Sequence, residues 1–432
     1  PARSAERATP GSEIWDIDDI GAAVRQRIER VAARWLVEDR LGPVARRAFL
    51  GPEGPIGLSR WKRHFGRLLG EGRWVSHTLP LVGRDDELRT LTAAAQSDAT
   101  QVVVLPGRGG SGKSRLLLEM ARALDSDESP AFFALDGTVL TPDDLDVQLP
   151  AGPALLVVED AHLRQDIQTI VAYAARRPDL TLVISARPIR LDELRAQLVR
   201  SGYDPAETVI MSELPPLSAE DSRRLAAEAI GSGPNDAADN LGDFTRDCQL
   251  ITVLGGRLLA QGRGPAGVLA SDPEFRDEIL GRFRDERLGR VSEDVPEEHA
   301  RRLLPFVAAL QPLRDGADDI IEGMAAANEL TARDVSNALD ALEAGGVLRR
   351  AGGLRRISPD VLSDYLLEQA CFDRTGSATG FADELWATFA QIAAGRLLAN
   401  LSELDWRVRD AAGGAGLLDR IWDALLTEYT EG

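Results

Sequence analysis

The sequence predicts an α/β domain, in which a parallel sheet carries helices on both faces, followed by several mostly helical parts. Three observations predict it. Short apolar runs alternate with helical patterns between residues 79 and 217, as is typical of βα units that share one sheet. A glycine-rich stretch separates one of these runs from the helical pattern after it. Beyond residue 217 the apolar residues recur mainly at helical spacing.

The glycine-rich stretch fits the pattern G-x-x-x-x-G-K-[ST]. It follows the apolar run 102–104 and opens an amphipathic segment that ends at Leu124. Between a strand and a helix, such a loop turns its backbone N–H groups around a phosphate, and the helix start adds its positive dipole end. We therefore expect a nucleotide to be bound by these residues: Gly107, Arg108, Gly109, Gly110, Ser111, Gly112, Lys113, Ser114 and Arg115.

Four side chains are expected to carry the chemistry of a magnesium nucleotide. Lys113 would reach the β- and γ-phosphates, and the Ser114 hydroxyl would help to hold Mg²⁺. Glu159 and Asp160 follow the apolar run 154–158, where a buried strand delivers carboxylates to the metal side. Glu159 is predicted to act on Mg²⁺ through its water shell, and Asp160 to orient or polarise the attacking water. Because the second acid is the shorter one, slow hydrolysis is the hypothesis.

Two further residues near these strand ends allow two interpretations each. Arg187 follows the apolar run 181–184, and its permanent charge is predicted to approach the γ-phosphate as a fourth catalytic group. The alternative is a salt bridge to a neighbouring helix. His162 is interpreted either as a sensor of the γ-phosphate region or as a cap on the following helix.

Charge and cysteine content exclude several classes of protein. The chain has 432 residues and a formal net charge of −19, which disfavours a general nucleic-acid coat because phosphates would be repelled. Residues 1–78 differ, with 14 Lys/Arg against 10 Asp/Glu. Two cysteines are too few for a disulfide framework. No apolar run approaches about 18 residues and no secretory signal is visible, so we expect a cytoplasmic protein without a membrane partner.

The pattern divides the chain into five predicted parts. The first is a helical segment that serves as an effector or a linker, and the last is a helical segment that begins a sensor region. Between them lie a nucleotide-binding domain, a helical lid and a winged-helix domain. Their predicted bounds, in chain order, are 1–78, 79–217, 218–292, 293–375 and 376–432.

Two of these parts raise the question of nucleic-acid binding. Residues 58–74 interleave aromatic and basic residues at helical spacing; they predict a packed helix with a solvated basic face, with contact to nucleic acid or acidic lipid as the alternative. The third helix of the predicted winged helix, Thr331–Ala344, carries one arginine against three acidic residues, which disfavours insertion into a DNA groove. The following hairpin has four arginines, which are either solvated or in contact with phosphate.

The glycine loop and the pair Glu159-Asp160, together with the turn Val82-Gly83-Arg84 about twenty residues before the loop, resemble the STAND class of signalling ATPases. That class is related to AAA+ ATPases and includes NB-ARC and NACHT proteins. The resemblance covers roughly residues 79–375. It implies that the Val82–Arg84 turn lies against adenine, and we include Pro216 among the nucleotide contacts. The implied cofactors are ATP or ADP with Mg²⁺.

The resemblance also implies a function. In that class the domains close over ADP at rest, then open and self-associate when ATP replaces it; bacterial members regulate antiviral and developmental responses. The leading prediction is such an ATP-dependent switch, with a trigger that the sequence does not identify. The alternatives are a DNA-binding regulator that uses the winged helix, and an AAA+ motor. Ser358-Pro359-Asp360 stands where the class has Met-His-Asp, so the histidine contact to the β-phosphate is not carried over.

Overall fold

A computed structural model gives the structure of the chain and describes residues 57–66, 78–231, 235–263, 272–289, 295–351, 353–373, 375–412 and 416–431. All of them belong to one unit, Ile56–Gly432, which is distinct from the unit Pro1–Pro55. The helices predicted within residues 1–56 and 67–77 lie outside the described residues.

A six-stranded sheet forms the centre of the amino-terminal half of the described chain. Its strands are β1 (Leu58–Arg60), β2 (Val102–Pro106), β3 (Ala131–Ala134), β4 (Ala154–Val158), β5 (Leu180–Ala186) and β6 (Thr208–Ile210). In sheet order β1-β3-β4-β5-β2-β6, β1 is antiparallel to β3 and all other neighbours are parallel. The predicted α/β class with a mainly parallel sheet is therefore confirmed.

Helices cover both faces of this sheet. They are α1 (Trp61–His64), α2 (Asp85–Ala95), α3 (Lys113–Leu124), α4 (Pro142–Gln148), α5 (Ile167–Ala174) and α6 (Leu191–Arg200). Every residue of β2 is buried, as expected for a parallel strand covered on both sides. Because side chains alternate along a strand, Val102 and Val104 pack with α4, α5 and α6, whereas Val103 and Leu105 pack with α2 and α3.

The helix predicted for residues 58–74 is wrong for its first three residues. Leu58–Arg60 form an edge strand, and Trp61–His64 form a single helical turn. The edge of β3 offers hydrogen bonds that a local helix would forgo, and β1 pairs with it in the register Leu58↔Ala134. The predicted domain boundary at residue 79 therefore left out one strand of the sheet.

The remaining described chain is helical apart from one small sheet. The strands β7 (Leu313–Arg314), β8 (Leu348–Ala351) and β9 (Leu354–Ile357) pair antiparallel in the order β7-β9-β8. The helices are α7 (Ala219–Ile230), α8 (Asp236–Phe244), α9 (Gln249–Ala260), α10 (Asp272–Leu288), α11 (Glu297–Leu310), α12 (Asp318–Ala327), α13 (Ala332–Ala344), α14 (Asp360–Cys371), α15 (Phe381–Ala412) and α16 (Asp419–Glu431).

Three helices followed by a hairpin occur where the sequence predicted a winged helix. Thr331 caps the third of these helices through a capping box with Asp334, and that helix ends before Gly345. Assignment to the winged-helix class stays a prediction. One apolar core runs from Ala226 in α7 to Ile421 in α16, so the three parts predicted after residue 217 share a core. Within the described ranges, every helix is too short or too polar to cross a bilayer.

The packing of α7 against α8 gives a prediction for stability. A Cβ on Gly242 would lie 2.6 Å from the Cα and N atoms of Arg223. Gly242→Ala should therefore lower the free energy of unfolding by about 1–3 kcal/mol, the usual cost of overpacking, as measured by urea denaturation. Gly395→Ala in α15 is the control, since nothing lies within 4 Å of its Cβ. Equal stability of the two variants would contradict the close approach.

Candidate functional site

The glycine loop lies between β2 and α3, as predicted. Gly110 and Gly112 have φ angles of 74° and 92°, in the left-handed region that glycine enters without steric cost. Ser111 Oγ donates to the carbonyl oxygen of Arg108 at 2.8 Å. A Cβ on Gly107 would lie 2.8 Å from that hydroxyl. The loop is thus a tight turn that ends at the amino terminus of α3, where anions are favoured.

Lys113 lies inside the curve of this loop. Its Nζ donates to the carbonyl oxygens of Gly107 at 2.8 Å and Arg108 at 3.1 Å. It also lies 3.9 Å from Asp160 Oδ1. The structure therefore brings together the lysine of the loop and the second acid after β4.

Glu159 directly follows β4 and lies beside the start of α3. His64 Nε2 and Glu159 Oε2 are 2.6 Å apart, and their side chains are 7% and 15% exposed. Burial raises the pKa of the Glu159 carboxyl, but hydrogen bonds from His64 and Ser114 and the charge of His64 hold that pKa below its usual range. An ionised carboxylate next to the Ser114 hydroxyl is the pair that the sequence assigned to Mg²⁺.

Asp160 has an unusual backbone. Its φ is 43°, in the left-handed region that a residue with a Cβ rarely adopts and that is often found at functional sites. Its N–H donates to Ser185 Oγ at 3.0 Å. Burial raises the pKa of Asp160, but the nearby positive charges, chiefly Lys113 and also Arg187, outweigh burial, so the net shift of this pKa is downward.

Arg187 follows β5, which lies between β2 and β4 in the sheet. Its buried guanidinium pairs with Asp364 at 3.1 Å, with Asp360 at 3.7 Å and with Glu403. Burial lowers the pKa of Arg187, but the carboxylates, chiefly Asp364 and Glu403, hold it well above its ordinary value. The salt bridge to neighbouring helices is thus the interaction present here, and the γ-phosphate contact stays a prediction.

Helices of the carboxyl-terminal half cover the tip of the glycine loop. Leu250 N donates to the carbonyl oxygen of Gly110 at 3.2 Å. A Cβ on Gly110 would lie 2.5 Å from Cys248 Sγ and 2.8 Å from Val361 Cγ2. Because Cys248 and Leu250 lie at the start of α9 and Val361 lies in α14, the loop is the point where three parts of the chain meet.

The turn at Val82–Arg84 is packed beside the loop. Val82 shares an apolar cluster with Leu217 and Leu225. Arg84 is buried and donates to Glu87 Oε1 at 2.9 Å and to the carbonyl oxygen of Pro215 at 2.5 Å. The contact therefore goes to the residue before the predicted Pro216, which is exposed.

Gln249 connects this turn to the glycine loop. With its amide nitrogen towards the loop, it donates to the carbonyl oxygens of Gly110 at 3.3 Å and Ser111 at 2.7 Å, and its oxygen accepts from Arg84 Nη2 at 3.0 Å. Gln249 is not among the predicted residues, because no motif marks a glutamine that lies more than 130 residues from its partners in the loop.

The two remaining arginines of the predicted phosphate set point elsewhere. Arg108 pairs with Glu213 at 3.3 Å and lies over the ring of Trp406 at 5.4 Å from its centroid. Arg115 pairs with Glu119, one turn further along α3, at 2.6 Å. Their prediction as phosphate contacts therefore gains no support from these interactions.

The residues fit a magnesium nucleotide. Glycines line the loop where side chains would collide, Lys113 lies within it, and Glu159 Oε1 is buried and accepts no hydrogen bond from a described residue. The described residues contain no group of three His, Cys, Asp or Glu that could hold a metal. This does not conflict with the assignment, because Mg²⁺ takes most of its ligands from water and phosphate and needs few from the protein.

No family model matches the chain, and no curated protein matches it. Solved structures similar to it include a Walker-type ATPase of Pyrococcus abyssi, with 13% identity, a TM-score of 0.34 and coverage of 66% of this chain and 96% of that one. The ORC2 protein of Aeropyrum pernix has 13% identity, a TM-score of 0.35 and coverages of 70% and 96%.

The RuvB Holliday junction branch migration motor of Thermotoga maritima is similar at 15% identity, with a TM-score of 0.31 and coverages of 65% and 93%. None of these activities is transferred to this chain, because the identities and TM-scores are too low. The chain's own strand order and glycine loop define its class: it has the fold of a P-loop ATPase.

His162 gives a prediction about pH. Both of its ring nitrogens are buried without a hydrogen bond from a described residue, and burial lowers its pKa to about 3. An unfolded chain binds this proton near pH 6.5, so acidification favours unfolding. Between pH 7 and pH 5.5 the wild type should lose about 1 kcal/mol more unfolding free energy than His162→Gln, as measured in urea at both pH values. Parallel losses would contradict a neutral, buried His162.

Proposed function

We propose that this protein is an ATP-dependent signalling switch of the STAND class, which binds ATP or ADP with Mg²⁺ at Gly107–Ser114. Lys113 within the loop and Ser114 beside Glu159 support nucleotide binding. The observation that carries the proposal is the cover over the loop: α9 and α14 contact Gly110 directly. A nucleotide bound at the loop would contact α9 and α14 while they cover it, and would lose those contacts when they move away. Only such a difference in contacts between two states can shift a conformational equilibrium.

In this proposal, Arg187 is the residue that distinguishes ATP from ADP. Its guanidinium is held by carboxylates of α14 and α15, and a guanidinium binds phosphate oxygens in the same forked way. A γ-phosphate would compete with Asp364 and Glu403 for Arg187. ADP lacks that group and leaves the salt bridges intact. Loss of these bridges would release α14 and α15 and expose surface for self-association, in response to a trigger that is not identified.

The proposed chemistry is slow hydrolysis of ATP. When Mg²⁺ is bound, it would neutralise charge on the phosphates. Lys113 would hold the β- and γ-phosphates, and Ser114 with Glu159 would hold the metal and its water. Asp160 would orient the attacking water, but its side chain is short and its backbone is constrained in the left-handed region. Slow turnover suits a switch, because the ATP state must persist long enough to signal.

Two alternatives have less support. A DNA-binding regulator would use the arginines of the hairpin, yet Arg350 pairs with Asp315 and Arg355 pairs with Asp340 at 2.6 Å. Arg349 lies 3.9 Å from Asp136 of the sheet domain. Carboxylates of this chain therefore already neutralise much of the positive charge that would attract the phosphates of DNA. An AAA+ motor would need brisk hydrolysis, which a turnover of many ATP per second would reveal.

The two lysines of the chain provide a matched test of nucleotide binding. Lys113→Ala should reduce the affinity for a fluorescent ADP analogue by at least about tenfold, because a charged contact to phosphate is lost. Lys62→Ala removes the same charge from an exposed position and should bind as the wild type does. Nucleotide released from the purified wild type should be ADP or ATP. Equal binding by both variants would remove the basis of the proposal.

The salt bridges of Arg187 provide a test of the switch. Glu403→Gln should increase hydrogen exchange in α14 and α15 by about tenfold, or ~1.4 kcal/mol, in the ADP state, and should shift the hydrodynamic size towards that of the ATP state. Glu193→Gln is the control, since Glu193 forms an exposed pair with Arg190 and exposed pairs contribute little. If ADP and ATP give the wild type the same size and exchange pattern, the chain is not a nucleotide-dependent switch.

A further inference from the structure

The edge strand of the sheet places His64 beside the proposed nucleotide site. The strand β1 pairs with β3 from Leu58↔Ala134 to Arg60↔Phe132, and the single turn of α1 follows at once. The turn is fixed at its start, because Arg60 and Trp61 Nε1 both bind the Asp125 carboxylate, at 2.7 and 2.9 Å. His64 therefore has a defined position, although it precedes the glycine loop by more than 40 residues.

The ring plane of His64 is fixed as well. It stacks on Phe133 with centroids 4.7 Å apart and planes at 26°, and it meets Phe65 edge to face at 4.7 Å and 80°. Phe65 and Phe133 are themselves fully buried in the core of the sheet domain. Two aromatic contacts at different angles leave the imidazole little freedom to rotate.

The hydrogen-bond partner of the His64 ring is Glu159, the carboxylate proposed to support Mg²⁺. His64 Nε2 and Glu159 Oε2 lie 2.6 Å apart, a distance that fits a hydrogen bond from the ring N–H to a carboxylate oxygen. The torsion that turns a glutamate carboxylate is broad and has weak intrinsic preferences. A fixed donor on Oε2 therefore sets the orientation of the whole group, including Oε1, which is buried and accepts no hydrogen bond from the described residues.

We propose that His64 is a positioning residue, which holds the Glu159 carboxylate in the orientation that supports Ser114 and Mg²⁺ at the nucleotide. This inference rests on the proposed nucleotide function and adds a residue that precedes the predicted domain. Partners that orient a metal-supporting carboxylate contribute about 10- to 100-fold to metal affinity. Loss of His64 should therefore change how strongly nucleotide retention depends on Mg²⁺. It should leave nucleotide binding without Mg²⁺ unchanged.

The test compares three full-length proteins: the wild type, His64→Phe and His64→Gln. Phe fills the space between the two aromatic rings without a donor, whereas Gln can present an N–H near the place of Nε2. Dissociation of a fluorescent ADP analogue is measured in excess EDTA and over a magnesium titration. His64→Phe should match the wild type in EDTA but need about 10-fold more Mg²⁺ for half-maximal slowing of release. His64→Gln should need within about 3-fold of the wild-type concentration.

Each other outcome has a definite meaning. If His64→Phe has the wild-type magnesium dependence, or releases nucleotide faster by the same factor with and without Mg²⁺, the positioning role is wrong. Tighter magnesium binding by His64→Phe would overturn it too. Should His64→Phe fail to fold, His64→Asn replaces it, since its shorter amide does not reach Oε2. If the wild type itself does not bind the analogue, or Lys113→Ala binds equally well, the proposed function has failed instead.

Discussion

The structure around the glycine loop depends on one buried cation. Arg187 directly follows a central strand of the sheet and its guanidinium is shielded from water, and an unpaired charge in such a place would cost several kcal/mol. The carboxylates of Asp364 in α14 and Glu403 in α15 neutralise the charge of Arg187. The position of the carboxyl-terminal helices is thus tied to the carboxyl edge of the sheet, where P-loop proteins place their ligands.

Arg187 belongs to a larger group of interacting charges. Asp160 faces Lys113 on one side, and its carboxylate also acts on Asp360, whose pKa is raised by burial and then by that neighbouring charge. Arg356 on β9 is half-buried near the same acids; burial lowers its pKa, but the charges of Asp136 and Asp360 raise that pKa further than burial lowers it. A phosphate that enters this group adds negative charge where cations and carboxylates are already in balance. In the proposed switch, redistribution of ion pairs would be the response, and it would connect nucleotide state to domain contact.

Residues from distant parts of the chain complete the site. His64 comes from the edge strand, Gln249 from the first turn of α9, and Val361 from α14. Each contacts a group that belongs to the loop or to the acids after β4. The proposed roles of magnesium support and loop cover thus lie with residues outside the motifs, while the groups proposed to contact phosphate lie within them.

The sequence by itself determined the α/β class, the strand–loop–helix around Lys113 and the position of the acids after a buried strand, because these follow from local periodicity and from glycine's access to left-handed backbone. It misread residues 58–60 as helix, since the free edge of β3 with which they pair is not a local property. Tertiary structure alone decided that Arg187 meets Asp364 and Glu403 and that His64 meets Glu159. These pairs join residues far apart in the chain, and the free energy that selects them, compensation of buried charge, exists only once the core has closed around them.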